Sequence, residues 1–134
     1  GLMLKHAELV HFRTPTVTPR PFDFSGHWVN ELGSYMDLKI DGPVVKGRYV
    51  SMVTDDGPGP TPPFDIYGSV SGDLINFNVN WGEEITSWIG HGVIYAGGRP
   101  SILTLWQIVH TIKDEKDPEN QWKTVTAGAD EFHR

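Results

Sequence analysis

A chain of 134 residues with a formal net charge of −6 is long enough for one domain with a buried core. Eleven Lys and Arg against seventeen Asp and Glu argue against nucleic acid as a partner, because phosphate neutralisation supplies most of the affinity of such binders. No apolar run nears the roughly 20 residues of a membrane-spanning helix, and the absence of cysteine excludes disulfides, thiol catalysis and Cys-based zinc sites.

In chain order, residues 1–22 have no clear period and are broken by Thr14-Pro15-Thr16 and Thr18-Pro19. They read as an irregular N-terminal arm or expression leader, with the domain proper at 23–134. No signal peptide is visible. Beyond Phe22, eight β-rich segments follow, at about 25–31, 34–41, 44–54, 63–71, 73–82, 84–96, 100–111 and 121–132. Asp41-Gly42-Pro43 and Ser71-Gly72-Asp73 read as tight hairpin turns, and Ala96–Pro100 as another. Two connectors are longer, 54–62 and 113–120.

The period within the segments is two. Ile75, Phe77, Val79 and Trp81 alternate with Asn76, Asn78 and Asn80, and Met36, Leu38 and Ile40 with Tyr35, Asp37 and Lys39. That is the pattern of antiparallel strands buried on one face. The stretch 102–109 is apolar on both faces, so its outer side is expected to be covered, by another subunit for instance. Eight consecutive hairpin-linked strands predict an all-β fold, an antiparallel up-and-down β-barrel that closes on itself and leaves no edge.

The inward face of such a barrel carries an unusual set. Tyr49, Ser51 and Val53 share one face, as do Thr86, Trp88 and Gly90; Phe77, Trp81, Trp106 and Asp130 join them, with Asn30 and Ser34 at the first turn. A core that only fills space uses Leu, Ile and Val. Buried polar groups left unpaired cost about 1–3 kcal/mol each, so this mixture suggests a polar ligand end held in an apolar box. Paired core polars with aromatic filler account for the same residues equally well.

The motifs carry a resemblance. Gly26-His27-Trp28-Val29-Asn30-Glu31-Leu32-Gly33-Ser34 resembles the G-x-W-x-N-x-x-G-S opening of the avidin/streptavidin family. Gly47–Ser51, Phe77–Trp81, Thr86-Ser87-Trp88-Ile89-Gly90, Leu105-Trp106, Trp122-Lys123-Thr124 and Gly128–Phe132 resemble later motifs of that family, all in order, over about 24–132. The resemblance implies a streptavidin-like barrel and noncatalytic, high-affinity biotin binding with no cofactor. It implies Asn30, Ser34 and Tyr49 around the ureido oxygen, Ser51 and Asp130 on the ureido N–H groups, and Thr86 near the thioether sulfur. Trp81, Trp88 and Trp106 would wall the ligand, and Trp122 would reach a neighbouring subunit's pocket. Partners would be biotin or biotinylated molecules and other copies of the chain, a homotetramer ahead of a dimer, in a secreted or periplasmic setting. Trp28 is expected to be barrel-floor packing.

The chain departs from the family in the connector after Ser51, which is long, proline-rich and carries Asp55 and Asp56. It departs again at Glu84, where a small hydroxyl residue is expected near the biotin carboxylate. Acids there would repel a carboxylate tail and leave biotin amides better tolerated, while a stiff lid would lower the cost of closing. Two other readings are weighed beside this one. Gly26-His27-Trp28 also fits the start of a lipocalin-like carrier of a small apolar ligand, although lipocalins carry a C-terminal helix for which the chain after Phe132 leaves no room. A small β-barrel isomerase or cyclase would need Asp130 or Glu84 as a perturbed acid or base. The six histidines show no metal-ligand spacing.

Overall fold

A computed structural model describes residues 20–54, 57–111 and 125–134. Eight strands close into one antiparallel barrel. They are β1 (Gly26–Asn30), β2 (Tyr35–Asp41), β3 (Val44–Val50), β6 (Phe64–Ser71), β7 (Leu74–Asn80), β8 (Glu84–Ile94), β9 (Pro100–His110) and β10 (Val125–His133). Each strand pairs with its sequence neighbours in the barrel, and β1 pairs β10 to close it, with Asn30 opposite Phe132. Two two-residue strands, β4 (Val53–Thr54) and β5 (Gly57–Pro58), form a separate ladder.

The predicted turns form as their residues dictate. Asp41 pairs Val44 across Gly42-Pro43. Gly42 has φ 57°, while proline fixes its own φ near about −65°, the sign pattern of a type II′ hairpin whose twist matches the strands. Gly72, at φ 61°, plays the same part before Asp73.

The expected third segment, 44–54, is not one strand. Its ladder ends at Val50 opposite Tyr35. The Ser51 hydroxyl then donates to the Val53 carbonyl at 2.7 Å and accepts the Val53 N–H at 3.2 Å. Such a local side-chain bond competes with the sheet and turns the chain away. The segment doubles back through β4 and β5. Thr61 N–H donates to the Ser51 carbonyl at 2.9 Å, and Gly59 N–H to the Met52 carbonyl at 2.8 Å. The proline-rich connector is thus folded over one barrel end.

The opposite end is the floor. Trp28 is fully buried and donates its indole N–H to the Phe24 carbonyl at 2.8 Å. The Arg134 guanidinium lies 4.0 Å from the Trp28 ring centroid and donates to the Asp23 carbonyl at 3.0 Å. Phe22 packs on Phe24 and Trp28. Above this plug the interior is filled by Met36, Leu38, Val45, Ile66, Ile75, Phe77, Val79, Ile102 and Phe132, all buried. The filling does not reach the far end, which is hollow.

Candidate functional site

The hollow is a cavity of about 450 Å³ at the end where β1, β3, β7 and β9 finish. The alternation of the strands aims their inward residues into it. Asn30, Ser34, Tyr49, Ser51, Trp81, Thr86, Trp88, Trp106 and Asp130 all line it, so nine of the ten expected residues come together. The tenth, Trp122, lies outside the described residues, as do Asp55 and Asp56. Val53 also lines the cavity, whereas Phe77 lies beneath it as packing.

Hydrogen bonds fix which groups present donors. The Asn30 carbonyl oxygen accepts from the N–H groups of Leu32 and Ser34, both at 3.0 Å, which orients its NH₂ toward the Tyr49 hydroxyl at 3.4 Å. Tyr49, accepting there, keeps its proton to give. Ser34 accepts the Met52 N–H at 2.9 Å and likewise keeps its proton. Burial, with the Asp130 charge second, pushes the Tyr49 pKa well above its usual value, so it remains a donor. Ser34, Tyr49 and Asn30 therefore form one cluster of neutral donors.

Acceptors occupy other strands. Ser51 has committed its proton to the Val53 carbonyl and one lone pair to the Val53 N–H, and presents its other lone pair. One Asp130 oxygen accepts the Trp88 indole N–H at 2.9 Å. Burial raises the Asp130 carboxyl to about 6, assisted by its hydrogen bond with Glu31 and opposed by the Trp88 bond. Burial also opposes ionisation of Glu31, but hydrogen bonds from Asp130 and from backbone N–H groups outweigh it and lower the Glu31 pKa. When the pair takes up a proton, Asp130 holds it in preference to Glu31.

The aromatic walls are similarly constrained. Trp88 is sandwiched between Tyr49 and Phe77, each with ring centroids 4.9 Å away. Trp81 packs edge-on against Phe64 at 4.9 Å and donates to the Thr86 hydroxyl at 2.8 Å, which leaves the Thr86 proton free. Trp106 stands opposite Gly128. A Cβ on Gly128 would lie 2.4 Å from the Trp106 ring, so this glycine makes room for the indole.

Several lining residues escaped the sequence reading. Phe64, Thr61, Ile108 and Leu32 line the cavity. Phe64 and Ile108 sit at inward positions of their strands, so the period-two pattern carried a signal for both. Glu31 gave none, since its approach to Asp130 follows from the β1–β10 closure. Glu84 lines the cavity as expected, and His110 pairs with it, Nδ1 to Oε2 at 2.5 Å. Among the described residues no group of three or more His, Asp or Glu is arranged to hold a metal ion.

A closed eight-stranded up-and-down barrel with a walled, polar-ended cavity at one end defines a small-ligand-binding barrel. The Avidin family model matches residues 18–134, and the chain belongs to that family. Avidin-related protein 4/5 of Gallus gallus is 26% identical over 128 residues, covering 90% of this chain and 83% of that protein. Apo shwanavidin is 27% identical with a TM-score of 0.67, covering 82% of this chain and 98% of its own. A rhizavidin–biotin complex is also 27% identical with a TM-score of 0.67, covering 81% of this chain and 97% of its own. Membership of the family makes the protein a binder and not an enzyme.

Proposed function

We propose that this protein is a high-affinity biotin-binding protein whose cavity grips the cyclic urea of the ligand. The observation that carries the reading is the directionality of the cavity's hydrogen bonds. A urea offers one acceptor and two donors in a rigid plane. Ser34, Tyr49 and Asn30 supply free donors for its oxygen. Ser51 and the ionised Asp130 carboxylate supply acceptors for its two N–H groups. Thr86 has a proton left for the thioether sulfur, and Trp81, Trp88 and Trp106 wall the rings and chain. Because these groups are already held by backbone and ring contacts, binding loses little ordering entropy. The family resemblance adds Trp122 from a second copy of the chain, and a secreted or periplasmic setting.

A thermal melt with and without biotin tests this. A ligand that binds only the folded state, at 100 times its Kd, adds about 2.7 kcal/mol, and for a domain of this size a rise of about 8 °C or more is expected. Trp106→Ala and Asp130→Ala should each shrink the rise. An unchanged Tm at saturating biotin would overturn the reading.

A further inference from the structure

We infer that the Glu84–His110 pair at the cavity mouth selects the chemistry of the ligand's tail, favouring amide-linked tails over free carboxylates. The inference rests on the biotin reading and adds to it the class of ligand the site is built to hold. With the ureido group beside Asp130 and Trp88, the ligand extends along β8 toward its first residue, Glu84. Four strand residues at about 3.3 Å each separate Trp88 from Glu84, which is the reach of a five-carbon acid tail attached to a bicyclic ring.

The pair meets that tail asymmetrically. Glu84 opposes His110 across the β8–β9 ladder, and the two side chains are bonded at 2.5 Å. Glu84 lines the cavity with 22% of its side chain exposed, while His110, 36% exposed and on the same inward register of β9 as Trp106 and Ile108, is absent from the lining. The tail therefore meets the carboxylate and not the imidazole. One Glu84 oxygen is taken by His110; the other has no partner among the described residues and can accept. An amide N–H supplies the proton it needs, whereas a free carboxylate brings a second acceptor and a like charge.

The surroundings do not reverse this. Among the described residues lining the cavity there is no lysine or arginine, and the other acid, Asp130, stands at the far end. Glu83 beside the pair has its carbonyl occupied by the Thr111 N–H at 2.8 Å. Asn80 on β7 is turned to the Gly82 N–H at 2.9 Å. His110 acts as a positioning residue that aims the Glu84 carboxylate inward.

Calorimetry of the full chain with biotin and with biotinamide, at low and high salt, decides the matter. Biotinamide should bind about tenfold more tightly at low salt, with the gap narrowing as salt screens the charges. Glu84→Gln should close most of the gap from both sides, strengthening biotin by removing the like charge and weakening biotinamide modestly, since the neutral amide oxygen is a poorer acceptor for its N–H. His110→Gln should close it in part, because it frees the carboxylate to swing outward; both variants lie at the mouth and their melts report whether the barrel is intact. Equal affinities of the wild type for the two ligands, or a gap that survives Glu84→Gln, would overturn the inference and leave biotin binding standing. Binding of neither ligand would instead overturn the reading on which it rests.

Discussion

Burial places the Asp130 carboxyl, at about 6, in an ordinary working range. The folded protein holds its proton to about 6, the unfolded chain only to 3.8. The group therefore favours folding of the unliganded protein at low pH, and that advantage is lost as pH rises through 6. Ligand binding runs the other way. A ureido N–H needs the ionised carboxylate, so biotin must displace the proton, and its Kd should rise about tenfold per pH unit below about 6. Glu31→Gln removes the neighbouring charge and should move that midpoint to lower pH. Asp130→Asn should abolish the pH dependence, and the lost charge-assisted bond should cost about 1.5–3 kcal/mol of affinity. Calorimetry at pH 5, 6 and 7.5 reads all three; a Kd flat over this range in the wild type would remove Asp130 from the ureido contacts.

At the scale of elements, β9 and β10 show how a wall is held by what faces it. Trp106 can lie against β10 because Gly128 has no Cβ. Gly128→Ala should push the indole from its place at a cost of about 1–3 kcal/mol in stability. Ligand affinity should fall with the barrel retained, read by indole fluorescence and calorimetry together. The same pair marks what the sequence disclosed. Strict alternation made the β7, β8 and β9 faces legible, and with them Trp88, Thr86 and Trp106. The β1–β2 turn was legible because Asn30, Gly33 and Ser34 each have a local reason to be there. The break after Val50 was not, because a run with strand-forming residues on both sides of Ser51 gives no hint that its hydroxyl will capture Val53. Nor were the Glu31–Asp130 pair, which depends on closure of the first strand onto the last, and the Glu84–His110 pair, which lies at the open ends of two eleven-residue strands where the register is set only at the far turn.

For the whole molecule, the barrel divides labour between a packed floor and a hollow mouth, and the two should respond separately to mutation. Trp28→Phe leaves the Phe24 carbonyl without its donor and a void beneath Arg134. It should lower stability by about 2 kcal/mol while leaving the biotin Kd nearly unchanged, as paired melts and titrations would register. The outer wall poses a different question. Ile85 faces Val109 and Ile89 faces Leu105 across the β8–β9 ladder, and all four are exposed, Ile89 at 66% and Leu105 at 67%. These two strands also carry Trp88 and Trp106 on their inner faces. Two exposed apolar pairs flanking Ser87 and Gln107 on one outer face mark an association surface, and a stable interface needs about 800 Å² from each partner. With a second copy as the occupant, covering this face would stiffen the same strands that wall the ligand. The wild type should therefore sediment as an oligomer, and Ile89→Lys with Leu105→Lys should reduce it to a 15.0 kDa species with weakened biotin binding. A wild-type chain that already sediments at 15.0 kDa at high concentration would show that no second copy covers this face.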